Sequence, residues 1–152
     1  MALTAAIGST LTVSYGKIRA YTMSAASNKI WGGATVVVNL AGANEGYAGP
    51  AVDDPDDSEK QLVVGWAQET KTGAAGAVVR VRIDGHLKRN AVGADQTWVG
   101  KFACVKDDET VQLYGDATTQ VVVGRIVKVI STTKVLVNFS DRPMRLATSA
   151  ED

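Results

Sequence analysis

The chain has one cysteine, Cys104, and one histidine, His86. A lone cysteine excludes an internal disulfide framework and every multi-cysteine zinc or iron–sulfur pattern, and it fits a reducing compartment. A catalytic triad or Cys–His pair would have to use His86, which follows the strand end and turn Ile83-Asp84-Gly85 and reads as a solvated surface residue without a positioned partner. Cys104, within Phe102-Ala103-Cys104-Val105, reads as a small buried hydrophobe. Long apolar runs are missing too: residues 62–67 form one of the longest, far short of the roughly 18 residues of a membrane span. Residues 1–15 carry no basic residue, and Thr and Ser interrupt their apolar stretch. A cleaved secretory signal is therefore not expected, and the chain reads as one made in a cytoplasm. No G-x-S-x-G turn occurs, and Gly100-Lys101 is followed by Phe102 where a phosphate-binding loop requires Ser or Thr.

What is present is enough for a core. At 152 residues and 15.9 kDa, with 45% hydrophobic residues, a single globule would bury roughly 70% of its unfolded surface. Fifteen Gly and three Pro point to many turns. The 16 basic and 16 acidic residues give zero net charge, which argues against bulk capture of nucleic acid or an anionic membrane. That zero hides a segregation. Residues 1–44 hold Lys17, Arg19 and Lys29 and no acid, whereas residues 45–59 hold Glu45, Asp53, Asp54, Asp56, Asp57 and Glu59 and no base. The expected organisation is an N-terminal arm over 1–30, a single β domain over 31–141 with an acidic loop at 44–60, and a C-terminal tail over 142–152.

In the arm, Leu11, Val13 and Tyr15 alternate with Thr10, Thr12 and Ser14, a period of two that suggests a strand with one apolar face. The parity breaks beyond it, where the odd positions become Lys17, Arg19 and Tyr21. An extended arm that pairs with another surface and a first strand of the body both fit this pattern. From Trp31 onward short β-branched runs follow one another: Val36-Val37-Val38, Leu62-Val63-Val64, residues 78–83, Val121-Val122-Val123, residues 126–130 and residues 135–139. Val79, Val81 and Ile83 are expected to face inward with Arg80 and Arg82 in water; Val135, Val137 and Phe139 are expected inward, opposite Leu136 and Asn138. With no helical period in sight, the class is all-β, a small barrel or sandwich.

A hint of repetition runs through these strands. Val63-Val64-Gly65-Trp66 and Val122-Val123-Gly124-Arg125 each lead through a polar turn to an alternating strand, about 59 residues apart. Two copies are too few for a solenoid, and common architecture accounts for them as economically as duplication. Gly65 and Gly124 are nevertheless expected at equivalent bulges or close backbone approaches.

The acidic stretch Asp53-Asp54-Pro55-Asp56-Asp57-Ser58-Glu59 lacks the alternating ligands and central Gly of a calcium loop, and reads as a solvated loop. Asp107-Asp108-Glu109 fits a hairpin turn. The nine aromatics do not interleave with a basic run as a single-strand-binding groove would require. Trp31, Trp66 and Trp98 read as core or interface anchors.

Residues 62–141 resemble a family of small tailed-phage structural proteins, the head decoration or cement proteins. The matching pieces are Val64-Gly65-Trp66-Ala67, Gly73-Ala74-Ala75-Gly76, Val79-Arg80-Val81-Arg82-Ile83-Asp84-Gly85, Val99-Gly100-Lys101-Phe102, Val105-Lys106-Asp107-Asp108, Val123-Gly124-Arg125-Ile126 and Val135-Leu136-Val137. The resemblance covers about half of the chain and its motifs are structural. It implies a compact, β-tulip-like body, a homotrimer on the capsid exterior of a virion, the major capsid protein as partner, and no catalytic residue, cofactor, metal, membrane or direct nucleic-acid contact. The basic arm lies beyond the matched part; Leu11, Val13, Tyr15, Lys17 and Arg19 are the residues expected to dock on the capsid. Two other readings stay open: a head-fibre or tail β protein binding a host glycan, which predicts an exposed Trp66 or Trp98, and a small enzyme using a metal on the acidic loop.

Overall fold

The computed structural model describes residues 17–23, 29–52, 61–73, 76–115 and 121–141. Twelve strands run through them: β1 (Ile18–Thr22), β2 (Lys29–Ile30), β3 (Thr35–Asn39), β4 (Ala48–Pro50), β5 (Gln61–Ala67), β6 (Lys71–Thr72), β7 (Val78–Arg82), β8 (His86–Asn90), β9 (Phe102–Val105), β10 (Val111–Leu113), β11 (Val122–Ser131) and β12 (Lys134–Asn138). Among the described residues all ladders are antiparallel, and the one helical element is a 3₁₀ turn at Gln96–Trp98. The expected all-β class holds. Two five-stranded sheets carry the fold, with orders β1-β7-β5-β3-β4 and β10-β9-β11-β12-β8; β2 and β6 form a separate ribbon.

The two sheets are the same object built twice. Taken in chain order as first to fifth, the strands of each lie in the order third, second, fourth, fifth, first. Their registers coincide: Val36 pairs with Pro50 and Gly65 as Ala103 pairs with Leu113 and Gly124. Arg82 pairs with Trp66 and Ile18 as Asn138 pairs with Arg125 and His86. Hydrogen bonds outside the ladders repeat as well. Ala51 N–H donates to Thr35 O and Tyr114 N–H to Phe102 O, both at 3.0 Å; Met23 N–H reaches Ala77 O at 2.8 Å as Ala91 N–H reaches Thr133 O at 2.9 Å. Even the turn before each second strand matches, with Ala34 N–H on Trp31 O and Lys101 N–H on Trp98 O, both at 3.0 Å. Repetition at this level goes beyond shared strand type.

The boundary drawn at residue 31 falls inside the first sheet, because β1 pairs along its length with β7. Its parity was obscured for a physical reason. As the outer strand it leaves Ile18, Arg19, Ala20 and Thr22 exposed, so no apolar alternation is imposed on it. Neither sheet closes: single parallel bridges, Met23 to Ala48 and Asn90 to Thr110, link the ends of the outer strands.

Gly65 and Gly124 explain the repeated bulge. Between Val36 and Val37 the register of β3 on β5 skips Val64, and between Ala103 and Cys104 that of β9 on β11 skips Val123. A Cβ on Gly65 would lie 1.9 Å from Arg82 O, and one on Gly124 would lie 2.2 Å from Asn138 O. Only glycine admits backbone that close. The extra residue resets the side-chain alternation, so Val64 and Ala67 point into the first core while Val63 and Trp66 share the opposite face. The inward residues correspond across the repeats: Met23, Val36, Val64, Ala67, Val79 and Val81 with Ala91, Ala103, Val123, Ile126, Val135 and Val137, all buried. Each fully buried Val contributes roughly 1.5–3 kcal/mol. Val79 and Val81 lie inward as expected, as do Val135, Val137 and Phe139; Ile83 is half-buried.

Candidate interaction surface

The outward face of the first sheet is covered by the second repeat. Val37, Ala51, Val63 and Trp66 belong to the same apolar cluster as the core of the second repeat. Trp66 meets Phe139 edge-on, with ring centroids 4.9 Å apart. A polar clamp flanks this contact. Thr35 N–H donates to Asp108 O at 2.7 Å, and the buried Arg89 donates from its two terminal nitrogens to Asp108 O and Gly33 O. Burial lowers the Arg89 pKa to about 10, against the opposing pull of Asp108, Glu109 and Asp107; the guanidinium stays charged at neutral pH. Burial, and then the Asp107 and Glu109 charges, raise the Asp108 carboxyl above its ordinary value.

Corresponding positions in the two repeats differ sharply in exposure. Leu62 precedes Val63 at the start of β5 and is 49% exposed, whereas its counterpart Val121, before β11, is 5% exposed and part of the shared cluster. Trp31 is 56% exposed and Trp98 is 8% exposed. The cause of that second difference is local. Trp98 ends a 3₁₀ turn whose cap, Asp95, accepts from Thr97 N–H at 2.8 Å. Trp31 instead follows the inserted β2–β6 ribbon, and the Lys29 ammonium lies 3.7 Å above its ring. Leu40 and Tyr47, exposed at the ends of the β3–β4 hairpin, stand where the second repeat has Asp107 and Thr110. Ile18 and Val78 stand where it has His86 and Lys134.

Of the expected docking residues, Leu11, Val13 and Tyr15 lie outside the described residues. Lys17 and Arg19 are brought to the outer edge of the first sheet: the Lys17 N–H donates to Asp84 Oδ1 at 2.7 Å, and Arg19 lies opposite Val81 on β1. The acidic stretch from Asp53 to Glu59 also lies outside them. Asp107 forms the expected hairpin turn, its Oδ1 accepting from Glu109 and Thr110 N–H at 2.8 Å. His86 is exposed on β8 and Cys104 is buried on β9. Among the described residues no three His, Cys, Asp or Glu side chains group to hold a metal ion, and no helix is long and apolar enough to cross a membrane. Trp66 and Trp98 are buried, so neither supplies the exposed platform that the glycan reading required; Trp31 is the exposed one.

Sequence reasoning missed Leu40, Tyr47 and Leu62. Leu62 was read within an apolar run, and only the bulge at Gly65 fixes which members of that run face which way. A signal existed in the comparison of the two copies, which sets Leu62 against Val121 and Leu40 against Asp107. Searches of protein-family models, of curated proteins and of solved structures found nothing that matches this chain.

Proposed function

We propose that this chain is a virion structural protein that binds the outer surface of a phage capsid, through the major capsid protein, and stabilises the shell as a homotrimer. The observation that carries the reading is a difference between the repeats: Ile18, Trp31, Leu40, Tyr47, Leu62 and Val78 are exposed on the first, at positions that are polar or buried on the second, while the second exposes Val92, Val99 and Ile130. Large apolar side chains left in water on one unit, where its equivalent buries or replaces them, are the kind of residue that a partner covers. In this reading the two open sheets form a β-tulip-like body, and Leu11, Val13, Tyr15, Lys17 and Arg19 dock on the capsid by adding a strand to one of its subunits. Binding across subunit boundaries favours the assembled shell by mass action, and a trimer multiplies weak contacts through effective concentration.

Deleting residues 2–16, which leaves β1 intact, tests the reading in co-sedimentation with undecorated heads. Loss of binding with an unchanged thermal melt is expected; undiminished binding would remove the arm from the account. Heads that never bind the full chain would remove the capsid reading altogether. The exposed Trp31 with Lys29 above it also keeps a head-fibre or tail protein binding a host glycan in play. A glycan screen in which binding disappears in Trp31→Ala would favour that reading.

A further inference from the structure

One end of the second sheet is filled by the first repeat. The inward side chains that reach it are Leu87, Arg89, Val105, Val121 and Phe139. Four of them belong to or pack against the shared apolar cluster, and Arg89 donates across the contact to Gly33 O. Trp66 lies edge-on to Phe139 with its ring centroid 4.9 Å away, and Val37 and Val63 join the same cluster. A large aromatic side chain, two aliphatic ones and paired polar groups thus close this end.

The same end of the first sheet is open. The registers put Arg19, Tyr21, Val38, Leu62 and Ile83 in the places of Leu87, Arg89, Val105, Val121 and Phe139. Ile83 N–H donates to Lys17 O at 2.9 Å as Phe139 N–H donates to Gly85 O at 2.8 Å, which fixes the correspondence. Each of the five is more exposed than its counterpart. Tyr21, Val38 and Ile83 are half-buried against the first core, Arg19 is exposed, and Leu62 is 49% exposed. Leu40, also 49% exposed, joins them from the hairpin.

Charge is redistributed as well. The hairpin of the filled end supplies Asp107, Asp108 and Glu109, whose charges act on Arg89. The hairpin of the open end supplies Leu40 and Ala41, with Glu45 the single acid in residues 40–47, and the edge strand brings Arg19 where the second repeat has Leu87. Among the described residues no carboxylate pairs with the Arg19 guanidinium.

We infer that the open end seats a capsid subunit, through a segment that presents a large apolar side chain with a carboxylate beside it. The apolar side chain rests on Leu40, Leu62 and Ile83 as Trp66 rests on Phe139 in the internal contact. The carboxylate meets Arg19, whose guanidinium donates two hydrogen bonds to one such group in the favoured geometry. Burial supplies the affinity, and the ion pair fixes the orientation and rejects cationic surfaces. A second copy of this chain is the poorer occupant, because Cys104, in the place of Val37, is buried at the centre of the face that would have to fill the end. This inference rests on the capsid reading and deepens it, naming the surface of this chain and the chemistry of the partner.

The experiment is co-sedimentation of the full chain with undecorated heads. Leu40→Asp, which copies the residue of the filled end, and Arg19→Glu should each weaken binding about tenfold or more, as loss of an interface anchor does. Leu62→Asp replaces Leu40→Asp if that variant lacks the wild-type circular dichroism spectrum and melt. Val92→Asp, a charge placed on a second-repeat residue that is 68% exposed, should bind as the wild type does. Raised salt should weaken the wild type more than Arg19→Glu, since screening acts on the ion pair. Undiminished binding by Leu40→Asp or Arg19→Glu, or an equal loss in Val92→Asp, would overturn the inference and leave the capsid reading standing. A light-scattering mass of the free protein that falls in Leu40→Asp would place a second copy at this end and overturn it too. Heads that never bind the full chain would instead sink the capsid reading, and this inference with it.

Discussion

Leu62 and Val121 occupy one position in two copies of the same sheet, as do Trp31 and Trp98, yet one of each pair is in water and the other is packed. The backbone plan is common: strand order, register, bulge and turn hydrogen bonds all repeat. What differs is the company each repeat keeps. The second receives the outward face of the first, and its hairpin end is accordingly short and buried at Val121. The first receives nothing among the described residues and shows leucine, tyrosine and tryptophan to solvent. One sheet plan can thus be used twice with different surroundings, the second copy burying at Val121 and Trp98 what the first leaves in water at Leu62 and Trp31.

Substitutions at equivalent positions separate what the repeats share from what they do not. The largest effects are expected where they are alike. Gly65→Ala and Gly124→Ala each press a methyl group into a carbonyl of the adjoining strand, and each should cost about 5 kcal/mol or prevent folding, the range of the most damaging single changes. Expression yield and chemical denaturation measure this; a tolerated change at one glycine only would mean that the two bulges are not equivalent. Next come the tryptophans. Trp98→Ala should cost about 3–5 kcal/mol as a buried aromatic, whereas Trp31→Ala should stay within about 0.5 kcal/mol as a surface change. Equal losses in denaturant titrations would break the contrast in burial.

Arg89→Met tests the clamp between the repeats. It removes the donors to Gly33 O and Asp108 O while keeping the side-chain stem, and should cost about 1–3 kcal/mol, the penalty for stranded buried acceptors. A melt unchanged from wild type would show that the apolar contact alone holds the halves. The smallest effect is that of Asp108→Asn. A carboxyl whose folded pKa is raised contributes stability that is complete below its unfolded value and is lost as pH rises through the folded value. Removing the charge should therefore raise the melting temperature at neutral pH, and have no effect once the pH falls below the ordinary value of 3.8. A loss of stability at neutral pH would mean that the attraction of Asp108 for Arg89 outweighs its desolvation and the repulsion from its neighbours.

Much of the shared plan was legible in the sequence, and little of the difference was. Val79 and Val81, and Val135, Val137 and Phe139, were placed inward correctly because a half-buried strand enforces a period of two. Gly65 and Gly124 were matched because each follows a pair of valines and leads through a polar turn to an alternating strand. Three things escaped. The edge position of β1 hid Lys17 and Arg19 from any alternation. The bulge expected at Gly65 is there, but which faces it gives Val63 and Trp66 depends on the strand paired beside it. The fate of Trp31 depends on an inserted ribbon whose partners, Lys29 and Ile30 with Thr72 and Lys71, are far apart in the chain. Each is a tertiary effect, set by which neighbour a strand acquires.

The claim that the first repeat is the contact-making half is tested most directly by hydroxyl-radical footprinting of the free protein over a range of concentrations and again on heads. Val121 and Trp98 should resist modification throughout. Leu40, Tyr47 and Leu62 should react in the free protein at every concentration and become protected on heads, with Trp31 the further candidate for protection there. Unchanged modification of Leu40, Tyr47, Leu62 and Trp31 in every state would contradict the account.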